Sequence, residues 1–288
     1  MPDRRQPDSN TPLQIVNSSG FPLQIATERL VNRTTKEHGW KVLYTEHAWF
    51  NRTTGESGFI DLVLIDRTKR LFLVVECKRH PENASWVFMH SSGNPEPRRH
   101  VKTWVTTYAN GKFPFFGWQD TQTDPYCLEA SFCAVYGGSP NDKNTMLERI
   151  GGELVLATEG FAQEQRDFRQ DLRNRERFYF NVVVTNARLT ASIFSPDDIS
   201  LESGTLPSTD DHIVPYLKFR KQMTRRERVF TPRDYEREVD PDYEKQSTIF
   251  VVQAKAFVDF LKAFEVSEDV LWKFSGIEPG QNRHEFFT

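Results

Sequence analysis

Cysteine is scarce: Cys77, Cys127 and Cys133 are the only three in 288 residues. An odd number without a Cys-x-x-Cys spacing excludes a disulfide framework and a cysteine-ligated zinc site, and implies reduced thiols packed as small apolar groups. Long apolar runs are also missing. Nothing approaches the roughly 18 consecutive apolar residues of a membrane-spanning helix. The opening MPDRRQPDSN lacks the apolar core of a signal peptide, so the expectation is a cytoplasmic protein without a membrane partner. A dominant charge is absent too. The formal net charge of -3 gives no global attraction for a polyanion, so any phosphate contact must come from local patches. No internal repeat, helix-turn-helix, zinc finger or RNA-recognition motif is present, and sequence-specific base reading cannot be argued. His80, His90 and His100 match no zinc spacing. They are expected at the surface, with His80 a candidate phosphate contact.

What is present is concentrated in residues 58–79, GFIDLVLIDRTKRLFLVVECKR. Phe59 to Asp66 and Leu71 to Lys78 are two apolar eight-residue runs joined by Arg67, Thr68, Lys69 and Arg70, the pattern of a β-hairpin. Neither run alternates cleanly with polar residues, so both are expected to be central strands covered on both faces. A two- or four-residue loop centred between Thr68 and Lys69 places Asp61 directly opposite Glu76. Facing Cβ atoms on an antiparallel pair are about 4.5–5.5 Å apart, and like charges there repel. Because side chains alternate, Glu76 and Lys78 share a face and Cys77 points away. Two carboxylates and an ammonium on one face suit a hard divalent cation such as Mg²⁺ or Mn²⁺, with the lysine free to act on a bound water or a phosphoryl oxygen. The competing reading is a buried Asp61–Lys78 ion pair with Glu76 at a fraying strand end, a poor stabilising device.

Gly58-Phe59-Ile60-Asp61, followed by a second strand ending Glu76-Cys77-Lys78, resembles the active-site signature of the PD-(D/E)xK nuclease superfamily, with Ile60 in place of the usual proline. The resemblance implies a restriction-endonuclease-like α/β fold. Its αβββαβ core has a mixed central sheet flanked by helices, here extended by further C-terminal strands and helices. It implies Asp61 and Glu76 as ligands of Mg²⁺ or Mn²⁺, the Cys77 backbone carbonyl as a further donor, and Lys78 as catalytic base or stabiliser. The first helix of that family often adds an acidic residue. Glu28, eleven residues before Gly39, is the positional candidate here, although a solvated helix residue explains it equally well. The implied activity is metal-dependent phosphodiester hydrolysis, foremost by a DNA endonuclease leaving a 5′ phosphate, in phage defence, restriction or repair. A homo-oligomer or a partner subunit would direct cleavage. A catalytically silent nucleic-acid-binding module and an RNase are the rivals.

Along the chain, residues 1–20 are expected as a mobile tail, 21–137 as the nuclease core, and 138–288 as an extension packed on it. Phe21 to His38 reads as a helix capped by Ser19 with Leu23, Ala26 and Leu30 inward and Gly39 as its stop. Trp40 to Phe50 reads as a strand and Asn83 to Pro97 as a loop. Arg99 to Asn110 is taken as the crossover helix, and Tyr126 to Tyr136 as the strand it leads to. Asn141 to Asp171 reads as helix with a bend at Gly151-Gly152. Phe178 to Thr185, Ala187 to Phe194 and Thr248 to Gln253 read as strands, followed by an amphipathic helix to Glu265. Phosphate contacts are sought in PYLKFRKQMTRRERVFTPR, at Lys218, Arg220, Lys221, Arg225, Arg226 and Arg228, and in a smaller patch at Arg99 and Lys102. A solvated loop is the even-handed alternative for the longer segment.

Overall fold

The computed structural model describes residues 11–91, 95–107, 115–136, 146–167, 176–224 and 244–275. Helix α1 (Pro12–Ser18) opens on a capping box between Thr11 and Gln14, so part of the expected tail is ordered helix. Helix α2 (Phe21–His38) ends as expected: Gly39 adopts φ 81, the left-handed conformation that a Cβ disfavours, and its N–H caps the Thr35 carbonyl. Its start differs, since Gly20 and not Ser19 is the N-cap. Its buried face differs too. Gln24, Thr27 and Val31 point inward, whereas Ala26 is exposed and Leu23 and Leu30 are only half-buried.

Three strands follow, β1 (Lys41–Phe50), β2 (Ser57–Ile65) and β3 (Leu71–Lys78), with β1–β2 and β2–β3 both antiparallel. The β2–β3 turn is held by Asp66, whose carboxylate accepts from the N–H groups of Thr68, Arg70 and Leu71, with Lys69 at φ 58. Then come β4 (Ser85–His90), β5 (Arg98–Thr106), β6 (Phe116–Cys127), β7 (Glu129–Ala130) and β8 (Phe132–Tyr136). Two expectations fail in this stretch. The loop from Asn83 contains β4. The helix expected over Arg99 to Asn110 is strand β5 as far as Thr106, and residues 108–110 lie outside the described ones. Val101 and Val105 fit both a helical and a period-two pattern, and the β-branched Thr103 and Thr106 fit the strand better. Pairing of β5 with β6 decides it.

The helix that crosses over is α3 (Met146–Asp167), and the strand it reaches is β9 (Arg177–Thr185), parallel to β3 from Leu71 opposite Phe178 to Lys78 opposite Thr185. Both lie beyond residue 137, so the expected boundary falls between pieces of one sheet. No bend is required at Gly151-Gly152. A Cβ on Gly152 would stand 2.9 Å from the Met223 carbonyl oxygen, so close approach is what the glycine serves. After β9 come β10 (Arg188–Ile193), β11 (Asp210–Ile213), β12 (Tyr216–Lys221) and β13 (Ser247–Gln253), then a short helix Phe257–Ala263, β14 (Glu265–Val266) and helix Glu268–Ser275.

The larger sheet runs β1-β2-β3-β9-β13-β12-β7, with β5, β6 and β14 joined to its side. A second sheet runs β11-β10-β4-β8. One face of the larger sheet packs on α3 through Ile150, Leu154, Ala157 and Phe161, with Val63, Phe72 and Val74 beneath. The other face packs on α2 through Val31 and on the C-terminal helices through Phe257, Phe260 and Phe274, with Leu62, Leu73 and Val75 beneath. The protein is therefore α/β, with a mixed sheet between helices and β2 and β3 covered on both faces. No helix among the described residues is long and apolar enough to cross a membrane.

Candidate metal centre

The β2–β3 register pairs Leu62 with Val75, Val63 with Val74 and Ile65 with Phe72. Continued by one residue, it sets Asp61 opposite Glu76, as the hairpin pattern predicts. The ladder ends there. Instead, the Cys77 N–H donates to Oδ2 of Asp61 at 2.7 Å. Lys78 Nζ lies 2.5 Å from Oε1 of Glu76, on the same side of β3. The lysine therefore pairs with Glu76, and the alternative of an Asp61–Lys78 pair with Glu76 left over does not describe this arrangement.

Two further side chains join these, and neither was found from the sequence. The β1–β2 register pairs Thr45 with Leu62 and His47 with Ile60, which sets Glu46 across from Asp61 on the other side. Glu46 holds φ 48, a left-handed conformation uncommon for a residue with a Cβ. Gln24, buried on α2, donates through Nε2 to the Glu46 carboxylate and to the Asp61 main-chain carbonyl, the latter at 3.2 Å. Glu46, Asp61 and Glu76 thus form a row across three neighbouring strands. A signal existed, since they stand fifteen residues apart in the chain. Using it required knowing the β1 register, which shifts at an irregularity between Val42 and Tyr44. Glu28 lies one turn beyond Gln24, half-buried, and no hydrogen bond among the described residues ties it to Asp61 or Glu76.

Burial, reinforced by the facing Glu76 carboxylate, pushes the Asp61 carboxyl up to about 7. The Cys77 N–H and the Lys78 ammonium oppose this, and Glu46 adds to it. Three carboxylates with one ammonium leave a deficit of positive charge, and the donors are hard oxygens of the kind Mg²⁺ takes. The carboxylates of Asp61 and Glu76 are donors of the type such an ion takes. Among the described residues no group of three or more His, Cys, Asp and Glu side chains is arranged to hold a metal ion, and Glu46, Asp61 and Glu76 as they stand are no exception. The Cys77 thiol is pushed far up by burial and is no candidate for chemistry.

No family model, no curated protein and no solved structure matches this chain.

The cations expected to meet phosphate are mostly committed elsewhere. Lys102 is 1% exposed, with Nζ 2.7 Å from Asp120 and 2.9 Å from Glu244. Lys218, also 1% exposed, donates to the Arg98 and His100 carbonyls, and burial lowers its pKa. Arg220 is 3% exposed and bonds Gln246 and Asp120. Lys221 pairs with Glu148 at 2.8 Å, and Arg99 grips Asp124 through two nitrogens over the Tyr126 ring. This corrects the expectation of an open basic surface: β12 is an interior strand, so its cations face acids and carbonyls within the fold. Arg225, Arg226 and Arg228 lie outside the described residues. His80 and His90, expected at the surface, are buried.

Beside Glu76 opens a cavity of about 150 Å³ between the ends of β1 and β2 and the first turns of α3, with Trp49, Phe59, Ile60, Ile150 and Leu154 on its walls. Gly58 keeps one wall low, because a Cβ there would stand 3.2 Å from the Trp49 indole nitrogen.

Proposed function

We propose that this chain is a divalent-metal-dependent nuclease of the PD-(D/E)xK type, hydrolysing phosphodiester bonds in nucleic acid, foremost DNA. The observation that carries the reading is the register placing Asp61 against Glu76, with Lys78 on the Glu76 face. The order α2, β1, β2, β3, α3, β9, with β9 parallel to β3, supports it, because it has the αβββαβ sequence of a restriction-endonuclease-like core once β4–β8 are set aside as an insertion.

The Asp61 and Glu76 carboxylates and the Cys77 carbonyl would hold Mg²⁺ or Mn²⁺, which supplies Lewis acidity and a water of lowered pKa. The Cys77 N–H fixes one Asp61 oxygen and so sets the direction of the other. Gln24 ties the same residue to α2 through its main chain. Lys78, held beside Glu76, is placed to donate to the attacking water or to the charge that develops on the phosphoryl oxygens. Attack of water on phosphorus, with departure of the 3′ oxygen and its uptake of a proton, leaves a 5′ phosphate.

The test is incubation of end-labelled DNA and RNA with purified protein in Mg²⁺, Mn²⁺ or EDTA. Cleavage in either metal, absent in EDTA and absent for Asp61→Asn and Lys78→Ala, is the expected result. No cleavage of either polymer in either metal, by a protein that is folded, would overturn the reading.

A further inference from the structure

We infer that the cavity beside Glu76 receives a single unstacked nucleobase next to the scissile phosphate, so that the preferred substrate is a strand with an unpaired nucleotide and not continuous duplex. The inference rests on the nuclease reading above and names its substrate class.

Three observations carry it. First, Glu76 lines both the candidate metal centre and the cavity, so a ligand whose phosphate lies at the carboxylates reaches the cavity with the group attached to that phosphate. In a nucleic acid that group is a nucleoside. Second, the size fits one ring. The cavity measures about 150 Å³, and an engineered apolar cavity of about 150 Å³ in another protein admits benzene. A run of stacked bases does not enter such a space. Third, the walls are of the right kind. Phe59 is 65% exposed, two residues before Asp61, and is one of the residues lining the cavity. Trp49, Ile60, Ile150 and Leu154 add apolar surface, and Ser57, Glu76 and Glu153 give the same lining polar groups that a base edge can meet. A phenyl ring held open to solvent next to a metal-type site is a stacking platform for a base, and stacking tolerates any base because each has a π-face. Lys102, Lys218 and Arg220 are buried, so none of these three offers an open contact to a duplex backbone.

The experiment measures binding and cleavage separately. Fluorescently labelled single-stranded DNA, the matching duplex and an oligomer of abasic deoxyribose phosphates are titrated in Mg²⁺ with the Lys78→Ala protein, with and without Phe59→Ala or Phe59→Trp. Phe59 lies on the surface, so neither change threatens the fold, and circular dichroism checks this. Single strands should bind more tightly than duplex. Phe59→Ala should weaken single-strand binding about 5- to 150-fold, the fold-change for loss of about 1–3 kcal/mol of base stacking. Phe59→Trp should restore it, and the abasic oligomer should be blind to Phe59. Equal binding of single strand and duplex, an unchanged affinity for Phe59→Ala, or no binding of any oligomer overturns the inference. The same oligomers offered to the wild type for cleavage keep the two readings apart. Phe59-dependent single-strand binding without cleavage sinks the nuclease and leaves the base site standing. Cleavage that ignores Phe59 does the reverse.

Discussion

Asp61 accepts the Cys77 N–H at the point where the β2–β3 ladder would next form a hydrogen bond. Asp66 pairs with Leu71 in that ladder, so hydrogen-bonded pairs recur at Leu64 with Leu73, Leu62 with Val75, and then Ile60 with Cys77. The side chain of one strand takes the place of its backbone, and the described β2–β3 pairs end at Leu62 with Val75 while β3 stays paired with β9 as far as Lys78.

Asp61→Asn should leave the metal-free protein as stable as wild type or more so. The substitution keeps the shape and removes one of the facing charges. Relief of even about 1 kcal/mol would raise the melting temperature by about 2–4 °C at this size. Thermal melts in EDTA check it, and a drop of several degrees would show that the Asp61 charge stabilises the metal-free fold and does not strain it.

The same carboxyl gives a pH dependence of known sign. Its folded-state pKa is raised to about 7 from an unfolded value near ~3.9, so the folded protein holds a proton that the unfolded chain has lost. The resulting stabilisation is full below the unfolded value and disappears as pH rises through about 7. In EDTA the difference in melting temperature between pH 5 and pH 8 should therefore be larger for wild type than for Asp61→Asn. Equal differences would remove Asp61 as the titrating group.

Adding Mg²⁺ or Mn²⁺ at pH 8 should stabilise wild type as RT ln(1 + [L]/Kd), about 2.7 kcal/mol at one hundred times Kd. Glu76→Gln and Asp61→Asn should lose most of this response. Glu46→Gln reports on the third carboxylate: a reduced response places Glu46 near the ion, and an unchanged one leaves it as an electrostatic neighbour of Asp61.

Lys102→Ala should cost stability and not affinity for nucleic acid. Removing the ammonium leaves Asp120 and Glu244 facing each other at a site where the lysine is 1% exposed, and breaking such a pair costs roughly 3–5 kcal/mol. Urea melts measure the loss. A stable variant with weakened DNA binding would return Lys102 to the surface role expected from the sequence.

Gly152→Ala should destabilise the protein although alanine favours helix by about 0.8–1.0 kcal/mol. The added Cβ meets the backbone oxygen of Met223 at 2.9 Å, which cannot swing aside as a side chain would, so overpacking of about 1–3 kcal/mol wins. Urea melts of the two proteins decide.

The sequence alone determined what is local. The β2–β3 hairpin, the centre of its turn, its register and hence the Asp61–Glu76–Lys78 group follow from two adjacent apolar runs and side-chain alternation, which need no information from elsewhere in the chain. The span and glycine stop of α2 are local in the same sense. Tertiary structure decided the rest. Val101 and Val105 satisfy helix and strand alike, and only the presence of β6 and β9 at their edges makes β5 a strand. The inward face of α2 is polar at Gln24 and Thr27 because it meets a charged site and not only a core, which an apolar stripe cannot reveal. Glu46 reaches Asp61 only through an irregularity in β1. Lys102, Lys218 and Arg220 look like a solvated patch until acids and carbonyls distant in the chain, among them Glu129 and Glu244, close around them. A strand's register with its sequence neighbour is fixed by the chain itself. Which distant surface a charged side chain will meet is fixed only when the sheet has closed.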